Sequence, residues 1–325
     1  MSPSTVLCAK AEKLKLNKMV KIVRLAAFFI TVLLAQTATA QERSGGIIGN
    51  TIEINKSISK KIDAAADAID KSISNKNYTQ KENPTSATLT QTVVWQENGR
   101  WTPTTRLGIN LRLPNLEKRW QVRFSSYDQD KENRDLTQNK VNTRETKEEY
   151  SAGVAFLQEL GALKFMFQPQ LQLSDPLELK YLVRIKSEGQ FFWFKMTPQL
   201  ELYTDPNKGA GEFFKLNFGA DLSKRWDMLI ENAEEYSDRD NLFTTQHGLS
   251  FQYGINRKSS VALSGITRSS SRPKFHLDEI TAAIPYSRQL LKKILKFSTS
   301  PFLSFNKSQS FGGRPGISFS LSMTF

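Results

Sequence analysis

From Thr88 to Phe325 the chain is written in runs of about ten residues in which apolar and polar side chains alternate, each run closed by turn residues. Period two is the strand period. It sends successive side chains to opposite faces, so every run has one apolar and one polar face. The runs are 88–96, 102–113, 119–128, 149–159, 163–173, 177–187, 191–203, 212–223, 226–236, 243–255, 259–268, 276–288, 296–308 and 315–325, fourteen in all. Leu163, Phe165, Phe167, Leu171 and Leu173 oppose Lys164, Gln168, Gln170 and Gln172. Leu177, Leu179, Tyr181, Val183 and Ile185 oppose Glu178, Lys180, Arg184 and Lys186, and Phe214, Leu216, Phe218 and Leu222 oppose Lys215, Asn217 and Asp221. The last run sets Ile317, Phe319, Leu321, Met323 and Phe325 against Ser318, Ser320, Ser322 and Thr324. Such strands build either a two-sheet sandwich with apolar faces inward or a closed barrel with apolar faces outward.

Three features favour the barrel. Gaps between runs alternate in length: those near 114–118, 160–162, 188–190, 224–225 and 256–258 are short, whereas 129–148, 204–211, 269–275 and 309–314 are long. Short turns on one rim and long loops on the other are a barrel pattern. The stretch 289–295 is long for its rim, and a count of twelve follows if it and the first run are not strands. Aromatic rings gather at run ends: Trp95, Trp101, Trp120, Trp193 and Trp226, with Tyr127, Tyr150, Tyr203 and Tyr236 at the long-loop ends. Rings with an apolar body and a polar tip settle at headgroup level. Finally, fourteen is even and returns both ends to one rim. Hydrophobic content of 39% and mean hydropathy of −0.43 argue against a helical membrane protein and say nothing against a barrel, in which only every second residue meets lipid.

Residues 1–40 read as a leader. Lys21 and Arg24 precede the apolar run Leu25 to Leu34, followed by the small-residue site Ala38-Thr39-Ala40, with Met19 as an alternative start. The run is short for a spanning helix. The sole cysteine, Cys8, lies in this segment, so a chain beginning at Gln41 has no disulfide or cysteine-ligated metal. Removing the +5 of the leader (six Lys/Arg, one Glu) from the total of +13 leaves +8. On an exported chain that excess points to anionic lipid or solutes rather than nucleic acid. Between the leader and the first run, Ile58, Ile62, Ala65, Ile69 and Ile73 recur at helical spacing, predicting an amphipathic helix over 57–74 in a segment 41–86 ahead of a barrel 87–325. This helix docks on the barrel, enters the pore, or forms a short seam between subunits through Ile58, Ile62, Ile69 and Ile73.

The final ten residues, ending on an aromatic after alternating apolar positions in a chain with a leader, resemble the closing strand of Gram-negative outer-membrane β-barrels of the porin group. The resemblance implies an outer-membrane location, an up-and-down antiparallel barrel, and Phe319, Leu321, Met323 and Phe325 as the signal read by the barrel assembly machinery. Trp95, Trp101, Trp120, Trp226, Tyr127, Tyr150, Tyr203 and Tyr236 become its aromatic girdles. A weaker likeness, in size, barrel character and extra helix, is to the ring-forming, lipid-trapping porin-like proteins of predatory bacteria.

With apolar faces toward lipid, the alternate set lines a lumen. It comprises Arg106, Arg112, Arg123, Lys164, Lys180, Arg184, Lys186, Lys195 and Lys215, with acids at Glu201, Asp221, Asp227 and Glu231. Beyond the ninth run the wall becomes small and neutral: Ser250, Gln252, Ser264, Ser318, Ser320. Grouped charge orients dipolar solutes, and a basic excess favours anions; the same charges could instead pair across strands and fill the interior. The loop Asp128 to Glu149 is a solvated outer loop or folds inward to narrow the pore. Only two histidines occur, His247 and His276, neither at a metal-ligand spacing, and no nucleophile elbow or phosphate-binding loop is present. The expectation is a passive channel for small hydrophilic solutes with a mild anion preference, no cofactor or metal and no enzymatic activity. Its partners would be outer-membrane lipid, the assembly machinery and further copies of itself. The rival is a structural barrel in a homo-oligomer, without open-pore transport.

Overall fold

The computed structural model describes residues 52–53, 55–64, 67, 85–97, 99, 101–112, 120–127, 134–136, 150–173, 177–206, 208–291 and 294–325. The leader, Ile69, Ile73, the side chain of Arg112 and most of the loop after Asp128 lie outside these residues. Residues 52–53, 55–64 and 67 are helical, including Ile58 and Ile62. The chain divides into two compact units, Met1–Ser57 and Ile58–Phe325.

Sixteen strand segments occur among the described residues: β1 Ser86–Gln96, β2 Thr102–Arg112, β3 Trp120–Ser125, β4 Ser151–Leu160, β5 Leu163–Gln172, β6 Glu178–Ser187, β7 Gly189–Phe191, β8 Phe194–Asp205, β9 Gly209–Asp221, β10 Trp226–Ser237, β11 Leu242–Asn256, β12 Ser259–Ser270, β13 His276–Ala283, β14 Tyr286–Leu291, β15 Leu295–Asn306 and β16 Gly313–Thr324. β6 with β7, and β13 with β14, are each one stave interrupted by a residue or two, giving fourteen staves. Every neighbour pair is antiparallel. The ring closes where β1 meets β16, from Thr88 opposite Thr324 to Gln96 opposite Gly316. The backbone N–H of Phe325 donates to the Ala87 carbonyl at 2.8 Å, so the barrel begins and ends on one rim. A closed ring leaves no unpaired edge, which is the condition for strands in hydrocarbon.

Two run boundaries are corrected. The short turn expected at 188–190 lies at Phe192 and Trp193, because Phe191 pairs with Phe194 and the strand carries on through β7. The long 289–295 gap vanishes, because β14 runs to Leu291 and pairs with Leu295. An expected loop length changes too: the long loop at 204–211 shortens to residues 206–208, because β8 runs to Asp205, which pairs with Gly209.

Exposure follows the alternation in the sense of a membrane barrel. On β5, Leu163, Phe167 and Leu171 are exposed while Met166, Gln168, Gln170 and Gln172 are buried. Around the outside, Trp120 meets Phe156 with ring centroids 5.2 Å apart, Trp226 meets Tyr253 at 5.0 Å, and Trp95, Trp101 and Phe319 form a chain at 6.3 and 6.5 Å. Phe319, Leu321 and Met323 share this outer face, Tyr150 is exposed, and the Tyr236 hydroxyl reaches Asn241 at the loop rim. The opposite face of the closing seam is a hydroxyl ladder, with Thr90 to Ser322 at 2.8 Å and Thr92 to Ser320 at 3.2 Å. These short cross-strand bonds satisfy polar groups at the one junction made by chain ends rather than by a hairpin.

Candidate functional site: the lumen and its constriction

The inward faces of β5, β6 and β8 to β10 carry most of the lumen charge, and the structure joins it into pairs. Glu201 on β8 is fully buried and accepts from Arg184 on the neighbouring β6 at 2.5 Å and from Gln199 at 2.8 Å. Lys215 on β9 meets the fully buried Glu231 of β10 at 3.2 Å. Lys180 meets Asp205 at 2.9 Å. Nearer the closing rim, Lys186, Lys195 and Lys164 surround Glu188 at 3.2, 3.4 and 3.7 Å. On the β2–β3 side, Arg123 donates to Gln168 at 2.7 Å, and the buried Arg106 guanidinium lies 5.7 Å from the Tyr127 ring. Asp221 and Asp227 are cross-strand neighbours, both exposed toward the open lumen. Ion pairing in this low-dielectric interior repays desolvation only with good geometry and extra hydrogen bonds, which Glu201 has.

The long loop between β3 and β4 supplies what the strand pattern could not. Arg134, Asp135 and Leu136 lie inside the barrel. Arg134 lies nine positions beyond the end of β3, a reach of up to about 30 Å. Arg134 Nε donates to Glu201 at 3.0 Å and its Nη1 to Glu235 at 3.4 Å, while its guanidinium stacks 3.8 Å from the centre of the Tyr203 ring. Burial disfavours the Arg134 charge, but the pull of Glu201 and Glu235 outweighs it and raises its pKa above the ordinary arginine value. Tyr203 donates to Glu235 at 2.7 Å, and Lys208 reaches the same oxygen at 2.9 Å. Asp135 crosses toward β12, accepting from Arg268 at 3.3 Å, while its carbonyl accepts from Lys215 at 3.3 Å. Leu136 is fully buried among Phe213, Ala233 and Ile266. The segment thus ties β8 and β10 to β12 through the interior.

Two expectations about tyrosines are corrected. Tyr203 is 5% exposed and belongs to the constriction, not to the girdle. Its position is in phase with Glu201, so the strand turns it inward, and the Glu235 carboxylate and Arg134 face satisfy both ends of the ring. Tyr127 likewise lies in phase with Arg123 and Ser125 and packs beside inward Arg106. Strict alternation also missed a set of inward apolar residues. Ala155, Met166, Leu182 and Tyr203 form one cluster, with Leu157 against it, and Phe213, Ala233 and Ile266 form the other. Their sequence signal was present: Met166, Leu182 and Phe213 occupy the polar phase of otherwise regular runs. Leu136 is an apolar residue in a loop of charges.

Between the constriction and the closing rim the lumen opens into a cavity of about 470 Å³. Lys195, Asp227, Gln252, Ser264, Lys296 and Ser298 are among its lining residues. The wall is small and hydroxylated on the β11, β12 and β15 side and charged on the β8 to β10 side. Neither histidine faces it as a catalytic pair. His247 projects outward from β11 to the Asn232 side chain at 2.9 Å, and His276 pairs with Asp278 at 2.8 Å.

No protein-family profile matches the chain, and no curated protein sequence matches it. Among solved structures it is similar to a loop-deletion form of OmpT, an outer membrane protein of Vibrio cholerae. The two share 7% identity over 75% of this chain and 99% of that one, at a TM-score of 0.48. It is similar to the outer membrane channel DcaP of Acinetobacter baumannii at 7% identity, covering 76% of this chain and 99% of that one, with a TM-score of 0.49. The KdgM porin gives 7% identity, 73% and 99% coverage and a TM-score of 0.37. The closed antiparallel barrel is established by this chain's own strand pairing, which runs unbroken from β1 round to β16 and back.

Proposed function

We propose that the protein is a porin-like diffusion channel of the Gram-negative outer membrane, passing small hydrophilic solutes with a mild preference for anions. The observation that carries this reading is a lumen with polar and charged walls, narrowed among the described residues by the Arg134–Leu136 segment and widening beside it into a 470 Å³ cavity. Five cations (Arg134, Arg184, Lys208, Lys215 and Arg268) meet four carboxylates (Glu201, Glu231, Glu235 and Asp135) at that level. Near-complete pairing leaves a small positive excess, which supports weak rather than strong anion selectivity. Transport needs no cofactor in this scheme, because a fixed wall potential acts on whatever diffuses through.

Planar-bilayer recording of the purified chain under a salt gradient tests it. Stable conductance steps with an anion-directed reversal potential are expected. A correctly folded, heat-modifiable barrel with no conductance overturns it. The inward apolar clusters favour the second reading, a filled structural barrel, and that reading predicts the silent outcome.

A further inference from the structure

A polar island interrupts the lipid-facing surface of β10 to β12. Asn232 pairs in register with His247, His247 with Thr267, and Glu234 with Thr245. They share the outer face with Ile230, Leu249 and Leu263, of which Leu249 is 42% and Leu263 58% exposed. Reading sideways along the register, one row runs Leu216, Asn232, His247, Thr267, Ile280, and the next runs Leu200, Phe214, Glu234, Thr245, Ser269, Leu277. The island is therefore bounded by apolar residues on the adjoining strands. Its depth follows from β10 itself. Asn232 stands six residues above Trp226 and four below Tyr236, about 15 Å into an apolar band about 25 Å tall. His247 and Asn232 bond to each other at 2.9 Å. The exposed Glu234 makes no hydrogen bond or ion pair among the described residues.

Acyl chains at that depth offer no hydrogen bonds, and lipid phosphates lie at headgroup level, nearer Tyr236. Protein is the remaining cover. We propose that the outer face of β10 to β12 is the contact between two copies of this chain, related by a two-fold axis through the island. The chemistry is self-complementary. Glu234 offers acceptors only, whereas the second ring nitrogen of His247, the Asn232 amide and the Thr267 hydroxyl offer donors. A two-fold related copy brings each set against the other, which is how an isologous interface satisfies one patch with itself. The acidic partner-free side chain also disfavours an anionic lipid as the occupant. The inference does not depend on whether the lumen conducts.

The test uses the full chain with Cys8→Ser, which removes the only native cysteine. His247→Cys, oxidised in native membranes, is expected to give a covalent dimer. Leu171→Cys and Leu303→Cys, on other parts of the lipid face, are expected to give none. Equal cross-linking at all three positions, or none at His247→Cys, overturns the proposal. Independently, the triple variant Asn232→Leu, Glu234→Leu, His247→Leu should keep the heat-modifiable barrel and self-associate at least about tenfold more weakly in detergent. If the folded triple variant dimerises like wild type, or the wild type is a monomer in bilayer nanodiscs, the contact does not exist. Glu234→Gln gives the same reading should the triple variant fail to fold, with weaker dimerisation expected and unchanged dimerisation refuting.

Discussion

Leu136→Ala tests whether the inward segment is a fixed constriction or an incidental contact. The wild-type side chain is 0% exposed and packs against Phe213, Ala233 and Ile266, residues on three different strands. Truncating a fully buried leucine costs about 2 to 5 kcal/mol, the spread depending on how far the site collapses. Here the cost falls on docking of the loop rather than on the barrel, because the strand ladders do not pass through Leu136. At about 1.4 kcal/mol per decade, the docked-to-undocked ratio should fall roughly thirtyfold to several thousandfold. Arg134 and Asp135 keep their ion pairs, so the loop should dock intermittently rather than detach. The expected trace is a single-channel record that flickers between the wild-type level and a higher one, from a barrel whose heat-modifiability is unchanged. A channel with wild-type conductance and noise would refute the reasoning, since the apolar anchor would then contribute nothing to holding the segment in the lumen.

Other substitutions address the remaining contacts. Glu201→Gln removes the carboxylate shared by Arg134 and Arg184; leaving buried guanidinium charge under-compensated costs about 3 to 5 kcal/mol. The reversal potential should move further toward anions, and an unchanged potential would show that these charges do not face the permeation path. Gly211→Ala would place a Cβ 2.3 Å from the Tyr203 ring and 2.7 Å from the Tyr236 carbonyl. Displacing Tyr203 from Glu235 should loosen the constriction at a cost of about 1 to 3 kcal/mol, read as higher conductance with lower thermal stability. Gly316→Val should impair closure of the barrel, because its Cβ would meet Phe302 at 2.3 Å and the Trp95 carbonyl at 2.7 Å; folded, heat-modifiable yield is the readout. At the mouth near the closing rim, Glu188→Gln removes the carboxylate shared by Lys186, Lys195 and Lys164; anion selectivity should rise, and an unchanged reversal potential would show that this cluster lies off the permeation path.

How much of this was legible in the sequence divides along one physical line. Alternation reports which face of a strand meets lipid, because hydrocarbon tolerates few polar side chains and punishes exceptions. That constraint acts on Leu163, Phe167, Leu200 and Phe214 alike, and it made the fourteen staves and most of their turns readable to within a few residues. The lumen is under no such constraint. Water accepts Lys195 or Ser264, and a packed interior accepts Met166, Leu182 or Phe213 equally well. An inward position therefore carries little sequence signature, and a rule that sends every apolar residue outward fails there. Tyr203 shows the ambiguity in one side chain: its place near a strand end suggested headgroup level, while its phase with Glu201 put the ring under Arg134. The loop was harder still, because nothing local to Arg134, Asp135 and Leu136 names Glu201, Arg268 or Phe213 as partners; those contacts depend on three strands closing around the segment. The exceptions on the lipid face are more informative than those in the lumen for the same reason. An apolar residue inside a barrel costs little and needs no explanation. Glu234 and His247 on the outside depart from the one rule that governs that surface, and the proposed contact between two copies is the cover that would reconcile them with it.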